Sequence, residues 1–192
     1  GAVRHLQEQG DWPGFKELRL QQNVVRSMRH AGLPKGPNHY PRLVADDAVA
    51  RADRPSFDAI GEPLPSGANN QMSQHPPGYY LLAAAATSVI PAGWRFDLFV
   101  LALRLFGVAL MAGLPLLAAL AVRRLGGDRP AMAAAALVPL CIPQLAAISG
   151  AVNNDSLLNI VCAVVALGVV TVATGDALAE IVERVPGAAP GQ

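Results

Sequence analysis

Three long apolar runs without a charged residue dominate the second half of this sequence. They extend over residues 105–122, 130–154 and 157–175. A helix needs about 20 apolar residues to cross the hydrocarbon core of a bilayer, and each run approaches or exceeds that length. The sequence therefore predicts an all-α, multi-pass transmembrane helical bundle. Its three spans are expected at about residues 98–122, 130–150 and 156–174.

Prolines interrupt these runs at Pro115, Pro139 and Pro143. Membrane-spanning helices tolerate proline because neighbouring groups satisfy the backbone carbonyls that it leaves unpaired. Such prolines often mark kinks near a functional cavity. Plain irregularity of the helix is an equally good interpretation, and both remain open at this point.

The charged residues are concentrated at the other end of the chain. Only 15% of the 192 residues are charged, and the mean hydropathy is +0.33. Most of these charges and all four histidines lie in residues 1–76, which predicts a water-facing loop region. Within it, residues 15–26 fit an amphipathic helix roughly, and residues 43–52 allow a short helix. The net charge of +1 and the scattered basic residues argue against a nucleic-acid partner.

A short apolar segment joins the two halves. Residues 79–90 are almost entirely apolar, and Pro91 follows them. Apolar runs of about 10–14 residues are more often interfacial or re-entrant than membrane-spanning. Pro77 suits the first turn of a helix, where a missing N–H costs little. We therefore expect residues 77–94 to form a juxtamembrane or re-entrant helix.

The positions of the arginines predict how the chain crosses the membrane. Residues 123–129 hold three arginines in a short loop, which favours the cytoplasmic side. The turn at residues 153–155 is then extracytoplasmic, and residues 177–192 form a cytoplasmic tail or loop. Residues 1–76 are extracytoplasmic if the segment at 77–94 lies in the interface, as its shortness favours. The expected location is the plasma (inner) membrane.

Among the acidic residues, Asp155 is the best candidate for a catalytic or metal-binding role. It lies between two apolar runs, next to Asn153, Asn154 and Ser156. Such an oxygen-rich cluster could hold a hard divalent cation, Mg²⁺ or Mn²⁺. Asp155 could also act as a base or orient a sugar hydroxyl. The competing interpretation is a helix N-cap, which Asn and Asp provide routinely.

Three further residues are candidates for the same chemistry. His75 titrates near neutral pH and could act as acid or base, although a histidine beside prolines is more often structural. Arg104 lies about two turns into the first long helix, where a guanidinium suits phosphate. Alternatively, the Arg104 side chain only extends its guanidinium group to the membrane surface. Tyr79 is either a phosphate contact or an ordinary interfacial aromatic.

Four strings in this sequence resemble one family of membrane enzymes, in the same order as in that family. Residues 74–82, QHPPGYYLL, resemble the entry to a helix in polyprenyl-phosphate-sugar-dependent glycosyltransferases of the GT-C type. These include the protein mannosyltransferase-like and aminoarabinose-transferase-like families. The other strings resemble the arginine-containing start of the next span, a short cytoplasmic turn and a second extracytoplasmic acidic turn; they lie at residues 102–106, 123–130 and 149–157.

This resemblance implies an integral membrane glycosyltransferase. Such an enzyme transfers a sugar from a polyprenyl-phosphate donor in the membrane lipid to a glycan, lipid or protein acceptor of the cell envelope. Displacement at the anomeric carbon needs an acid to activate the acceptor and positive charge near the leaving phosphate. The implied catalytic residues are Asp155 and His75, with Asp155 also the metal ligand. Arg104, Asn154 and Tyr79 are the implied donor-phosphate-binding residues.

One part of the family's pattern is missing from these residues. The usual first acidic motif follows the first spanning helix, and no acid follows an apolar span in residues 1–76. We therefore expect this chain to be a fragment that is inactive alone, with the first catalytic acid upstream of residue 1. The alternative function is a non-enzymatic multi-pass membrane protein, such as a transporter or a scaffold subunit.

Overall fold

The computed structural model describes residues 2–12, 19–33, 48–70 and 75–184. The described chain is mostly helical, as predicted. Its helices are α1 Ala2–Gln9, α2 Gln22–His30, α3 Phe57–Ile60, α4 Gly78–Thr87, α5 Phe96–Met111, α6 Leu114–Arg124, α7 Arg129–Leu137, α8 Pro143–Ser149 and α9 Asp155–Arg184. Short 3-10 turns form at Arg51–Asp53 and Val138–Cys141. Two strands that the sequence did not predict, β1 Arg19–Gln21 and β2 Pro65–Asn69, pair antiparallel.

The chain divides by its internal contacts into two compact units, residues 1–106 and 107–192. This is a division by packing and not by position relative to a membrane. The predicted segments at 1–76, 77–94, 95–176 and 177–192 therefore stay predictions. Each unit is described below by itself.

The core of the first unit forms where α1 packs against α4. Ala2, Val3 and Leu6 follow a helical spacing and are buried together with two tyrosines and Ala83 of α4. The side-chain amide of Gln7 ties the helices together, since its Nε2 donates to the Ala84 carbonyl and to the Thr87 hydroxyl, each at 3.1 Å. The predicted loop region thus contains a helix with a packed core face.

A second contact in this unit holds α3 at the start of α5. Phe57 packs edge-on against Phe99, with ring centroids 5.9 Å apart, and also contacts Phe96. The Phe96 N–H donates to the Pro55 carbonyl at 3.0 Å. Ser56 caps α3, its hydroxyl accepting from the Ala59 N–H at 3.2 Å. Residues 54–57 are therefore fixed beside the first turns of α5.

Within the described residues, two helical segments are long and apolar enough to cross a membrane. Phe96–Arg124 extends over 29 residues and comprises α5 and α6, and Asp155–Gly175 extends over 21; both have a mean hydropathy of 2.4. They correspond to the predicted spans at 98–122 and 156–174. The bundle as a whole stays a prediction.

The predicted second span, at 130–150, differs from a straight helix. Arg129–Cys141 and Pro143–Ser149 meet at an angle of 65°, so they are either one broken span or a re-entrant loop. The backbone of Ile142 between them is extended, with φ −97° and ψ 105°. Pro143 explains the break, because proline lacks an N–H and disfavours helical backbone in the residue before it.

The remaining predicted helices are shorter than expected or fall elsewhere. Helix α4 ends at Thr87, so the segment predicted at 77–94 is helical only in its first part. Of the helix expected at 43–52, residues 43–47 lie outside the described ranges, and residues 48–52 show only the start of the 3-10 turn at 51–53. Of the helix predicted at 15–26, residues 15–18 are outside the described ranges, residues 19–21 form the strand β1 instead, and α2 begins at Gln22.

Candidate functional site

A cavity of about 430 Å³ lies in the first unit where α5 begins. Charged side chains from two parts of the chain line it: Arg51, Arg54, Arg95, Asp97 and Arg104. Four arginines and one aspartate give these lining residues a formal charge of +3. An anion entering this cavity is therefore favoured electrostatically.

Arg54 is the most firmly held of the four arginines. Its Nε donates to the Val49 carbonyl at 3.2 Å. Its guanidinium carbon lies 5.7 Å from the centroid of the Phe96 ring, a cation–π distance. Only 16% of the side chain is exposed. Arg54 thus contributes charge to the cavity wall from a fixed position.

Asp97 contacts two of these arginines without a hydrogen bond to either. Its Oδ1 lies 3.2 Å from Arg95 Nε, and its Oδ2 lies 3.9 Å from Arg54 Nη1. Both Asp97 Oδ1 and Arg95 Nε are buried atoms without a hydrogen-bond partner among the described residues. The carboxylate is therefore close to the arginines but poorly oriented toward them.

Arg51 and Arg104 are the exposed cations of the cavity. Neither forms an ion pair with another residue in the described part of the chain. Arg104 lies a little over two turns from the start of α5, on the order of 12 Å along its axis. The predicted phosphate-binding arginine thus lines a cavity, together with three arginines that the sequence did not single out.

Apart from Ser27, the rest of the cavity wall is apolar. It includes side chains from α2 and the turn after it, from α3 and from α5: Val24, Met28, Leu33, Phe57, Leu98 and Leu101. A hydrophobic wall beside a group of guanidinium ions suits a ligand that combines an anionic head with a hydrocarbon chain.

Tyr79 and His75 do not line this cavity. Tyr79 is 1% exposed, and its ring packs against Tyr80 and Phe106. Its hydroxyl is buried without a hydrogen-bond partner among the described residues, and burial raises the pKa of Tyr79. His75 is half-buried just before α4. The burial of Tyr79 favours a packing role, and the roles predicted for both residues stay predictions.

Asn154 and Asp155 lie in the second unit, where α9 begins. The Asn154 carbonyl accepts from the Leu158 N–H at 3.1 Å, which puts Asn154 at the N-cap position. Asp155 is the first helical residue, where its charge interacts favourably with the helix dipole. Asn159 Nδ2 donates to the Asp155 carbonyl at 2.8 Å. These contacts favour the N-cap interpretation for Asn154, and Asp155 itself is half-buried.

The turn before α9 is held by a close approach of two backbones. A Cβ on Gly107 would lie 2.8 Å from the Ser149 carbonyl oxygen and 3.5 Å from the Ser156 hydroxyl. Ser156 is fully buried, and its hydroxyl donates to the Ile148 carbonyl at 3.4 Å. The turn containing Asp155 is thus packed against the backbone at Gly107 and leaves no room for a side chain there.

A divalent cation at Asp155 has little support from the donor set. No group of three or more His, Cys, Asp or Glu side chains is placed to hold a metal ion within the described ranges. Asp155 has only amide and hydroxyl neighbours in its turn. The Asn153 Oδ1 is buried without a hydrogen-bond partner among the described residues. It is one oxygen that a cation would use, and Mg²⁺ or Mn²⁺ binding stays a prediction.

Comparisons of this chain with protein-family models, with curated proteins and with solved structures gave no match. The residues of the cavity and the order of the four strings in the sequence are therefore the basis for assigning a function.

Proposed function

We propose that this chain is part of an integral membrane glycosyltransferase that takes a sugar from a polyprenyl-phosphate donor and passes it to a cell-envelope acceptor on the extracytoplasmic face. One observation carries the proposal. The cavity at the start of the first candidate span combines four arginines with an apolar wall. The order of the four family-like strings supports the same function.

The chemistry of the donor matches this cavity. A lipid-linked sugar phosphate carries one negative charge at the end of a long hydrocarbon chain. Arginine binds phosphate oxygens through paired N–H groups, and the exposed Arg51 and Arg104 are the cations that would do so. The apolar wall would accept the first part of the lipid. Arg54, fixed on Phe96, would add positive charge without moving.

The same arginines would act in the transfer step. When the bond between the anomeric carbon and the phosphate oxygen breaks, negative charge grows on the leaving phosphate. Preorganised cations stabilise that charge more in the transition state than in the ground state. In this proposal the acceptor hydroxyl loses its proton to a general base, the role that the sequence resemblance implies for Asp155 and His75, and no step depends on a divalent cation.

Sugar transfer in membranes tests the proposal. Membranes from cells that make the complete natural protein are supplied with labelled polyprenyl-phosphate sugar, and transfer into envelope material is measured. Arg104→Ala and Asp155→Ala should each lower the rate at least about tenfold, since each removes a charged group assigned to the transition state. Arg129→Ala, in the loop predicted to be cytoplasmic, is the matched control and should transfer normally.

Two results would contradict the proposal in different ways. Normal transfer by both site variants would show that the residues are assigned wrongly. Absence of transfer by the parent to any envelope acceptor would favour the non-enzymatic alternative. The 65° break between α7 and α8 is the one observation that favours that alternative, because transporters often build their sites from broken helices.

A further inference from the structure

We propose that Asp97 sets the preference of the arginine cavity between the sugar-loaded donor and the spent lipid carrier. This inference rests on the proposed function, since it takes the cavity to be the phosphate site. Neither the sequence pattern nor the proposed mechanism gives Asp97 a role. We assign it the role of a specificity residue, because its carboxylate repels the negative charge of the phosphate.

The position of Asp97 is the first observation. It is the one acid among the described side chains that line the cavity, and 15% of its side chain is exposed. It lies within 4 Å of the guanidinium groups of both Arg54 and Arg95. Any phosphate that approaches these arginines also approaches this carboxylate.

The poor geometry of these contacts is the second observation. Stable buried ion pairs combine their charges with well-formed hydrogen bonds that compensate the loss of hydration. Asp97 Oδ1 has no hydrogen bond to any described residue, although Arg95 Nε is only 3.2 Å away. Asp97 also gains from the helix dipole in the first turn of α5. That gain does not require the carboxylate to face the arginines.

The charge of the phosphate changes during transfer. The acceptor oxygen bonds to the anomeric carbon and its proton goes to the base. The bond from that carbon to the phosphate oxygen breaks, and its electron pair stays on the oxygen. The donor is a diester with one negative charge, whereas the spent carrier is a monoester whose charge approaches −2 near neutral pH.

A cavity lined by arginines alone would hold the spent carrier more tightly than the donor, because attraction grows with ligand charge. The enzyme would then be inhibited by its own product. A fixed carboxylate in the cavity repels a ligand of charge −2 about twice as strongly as one of charge −1. Asp97 thereby reduces the preference of the cavity for the spent carrier and favours release of the carrier.

Binding of two matched ligands tests this inference. The full chain in nonionic detergent micelles is titrated at pH 7.5 with dodecyl phosphate, a monoester, and with methyl dodecyl phosphate, a diester. Isothermal calorimetry gives both affinities for the parent, for Asp97→Asn and for Glu62→Gln. Glu62 is an exposed acid of the same unit outside the cavity lining. Its variant controls for a general change in charge.

We expect the parent to prefer the monoester by no more than about tenfold, since Asp97 cancels the charge of one of the four arginines. Asp97→Asn should tighten monoester binding about tenfold and diester binding about threefold or less. Glu62→Gln should leave the ratio of the two affinities at the parent value. If Asp97 only stabilised the fold, its substitution would not change the ratio of the monoester affinity to the diester affinity.

The outcomes separate the two proposals. A parent that binds neither ligand would overturn the phosphate cavity and this inference together. A parent that binds both ligands but prefers the monoester more than about tenfold would overturn the inference alone, and this result does not depend on the folding of a variant. Asp97→Asn that changes both affinities equally would also overturn it.

Discussion

At the scale of single residues, substitution of Tyr79 tells whether this side chain packs in the core or contacts a ligand. Its hydroxyl is buried without a hydrogen-bond partner among the described residues, and an unsatisfied buried polar group costs about 1–3 kcal/mol. Tyr79→Phe should therefore unfold at an equal or higher temperature than the parent, with a gain of about 1 kcal/mol in the free energy of unfolding. Loss of dodecyl phosphate binding in this variant would instead show that the hydroxyl contacts the ligand.

The same residue predicts a response to alkaline pH. Burial raises the pKa of the Tyr79 phenol above its ordinary value of 10.0. The unfolded chain therefore releases this proton at a lower pH than the folded chain does. The contribution of the group to stability is fully present below pH 10 and is lost as the pH rises through the folded pKa. Thermal unfolding from pH 8 to 11 should show a smaller alkaline loss for Tyr79→Phe than for the parent.

The contacts of Arg54 predict that lysine at this position lowers the stability of the protein although it keeps the charge. The flat guanidinium group lies over Phe96 while Nε donates to the Val49 carbonyl. Lysine keeps the charge but loses both the flat contact and the oriented N–H. Arg54→Lys should destabilise the first unit by about 1–2 kcal/mol. Chemical unfolding measures this, with Arg29→Lys, at an exposed position of α2, as the control. An equal loss of stability in both variants would contradict the special role of the Arg54 contacts.

Only part of the cavity was predictable from single residues. Arg104 stands out in the sequence because a charge inside an apolar helix is rare and costly. Arg51, Arg54 and Arg95 lie in polar stretches where arginines are ordinary. They meet because Phe57 and Pro55 contact the start of α5, and no local pattern reports that contact. The charges directly before the first apolar run were the signal that could have drawn attention to Arg95 and Asp97.

At the scale of the elements, the packing of α5 depends on Gly107. A Cβ at this position would lie 2.8 Å from the Ser149 carbonyl, a backbone atom that cannot move away alone. Gly107→Val should displace the turn before α9 and destabilise the second unit by about 2–4 kcal/mol, as overpacking does. Gly168→Val is the matched control, since a Cβ there meets nothing within 4 Å. Thermal unfolding in detergent compares the two, and equal stability would contradict the close packing.

The elements also show how far local patterns predict membrane helices. The ends of the first and third spans follow from the lengths of uncharged runs, which are local properties. The break between α7 and α8 depends on whether a proline kinks or ends its helix, and that choice is made by packing. Pro115 does not end its span. It lies within the first turn of α6, and the combined span Phe96–Arg124 continues past it.

At the scale of the whole molecule, the apolar surface argues for a membrane. Large apolar side chains are exposed along α9, and none of its most apolar window is buried. Helix α4 likewise exposes Leu81 and Leu82 while its opposite face packs on α1, and Val89 just after this helix is also exposed. Apolar patches of this extent are rare on soluble monomers. Lipid or further helices are the surroundings that such surfaces require.

The predicted topology can be tested by labelling cysteines from one side of the membrane. Cys141 and Cys162 are first replaced by serine, and a single cysteine is then placed at Asp11 or at Leu125, two exposed positions. The arginines beside Leu125 predict a cytoplasmic loop, and the shortness of α4 predicts that residues 1–76 lie outside. In intact cells a membrane-impermeant maleimide should label Asp11→Cys, but Leu125→Cys only after permeabilisation. Labelling of both cysteines in intact cells would contradict the predicted cytoplasmic loop. Protection of both until permeabilisation would place Asp11 in the cytoplasm, where the proposed transfer does not take place.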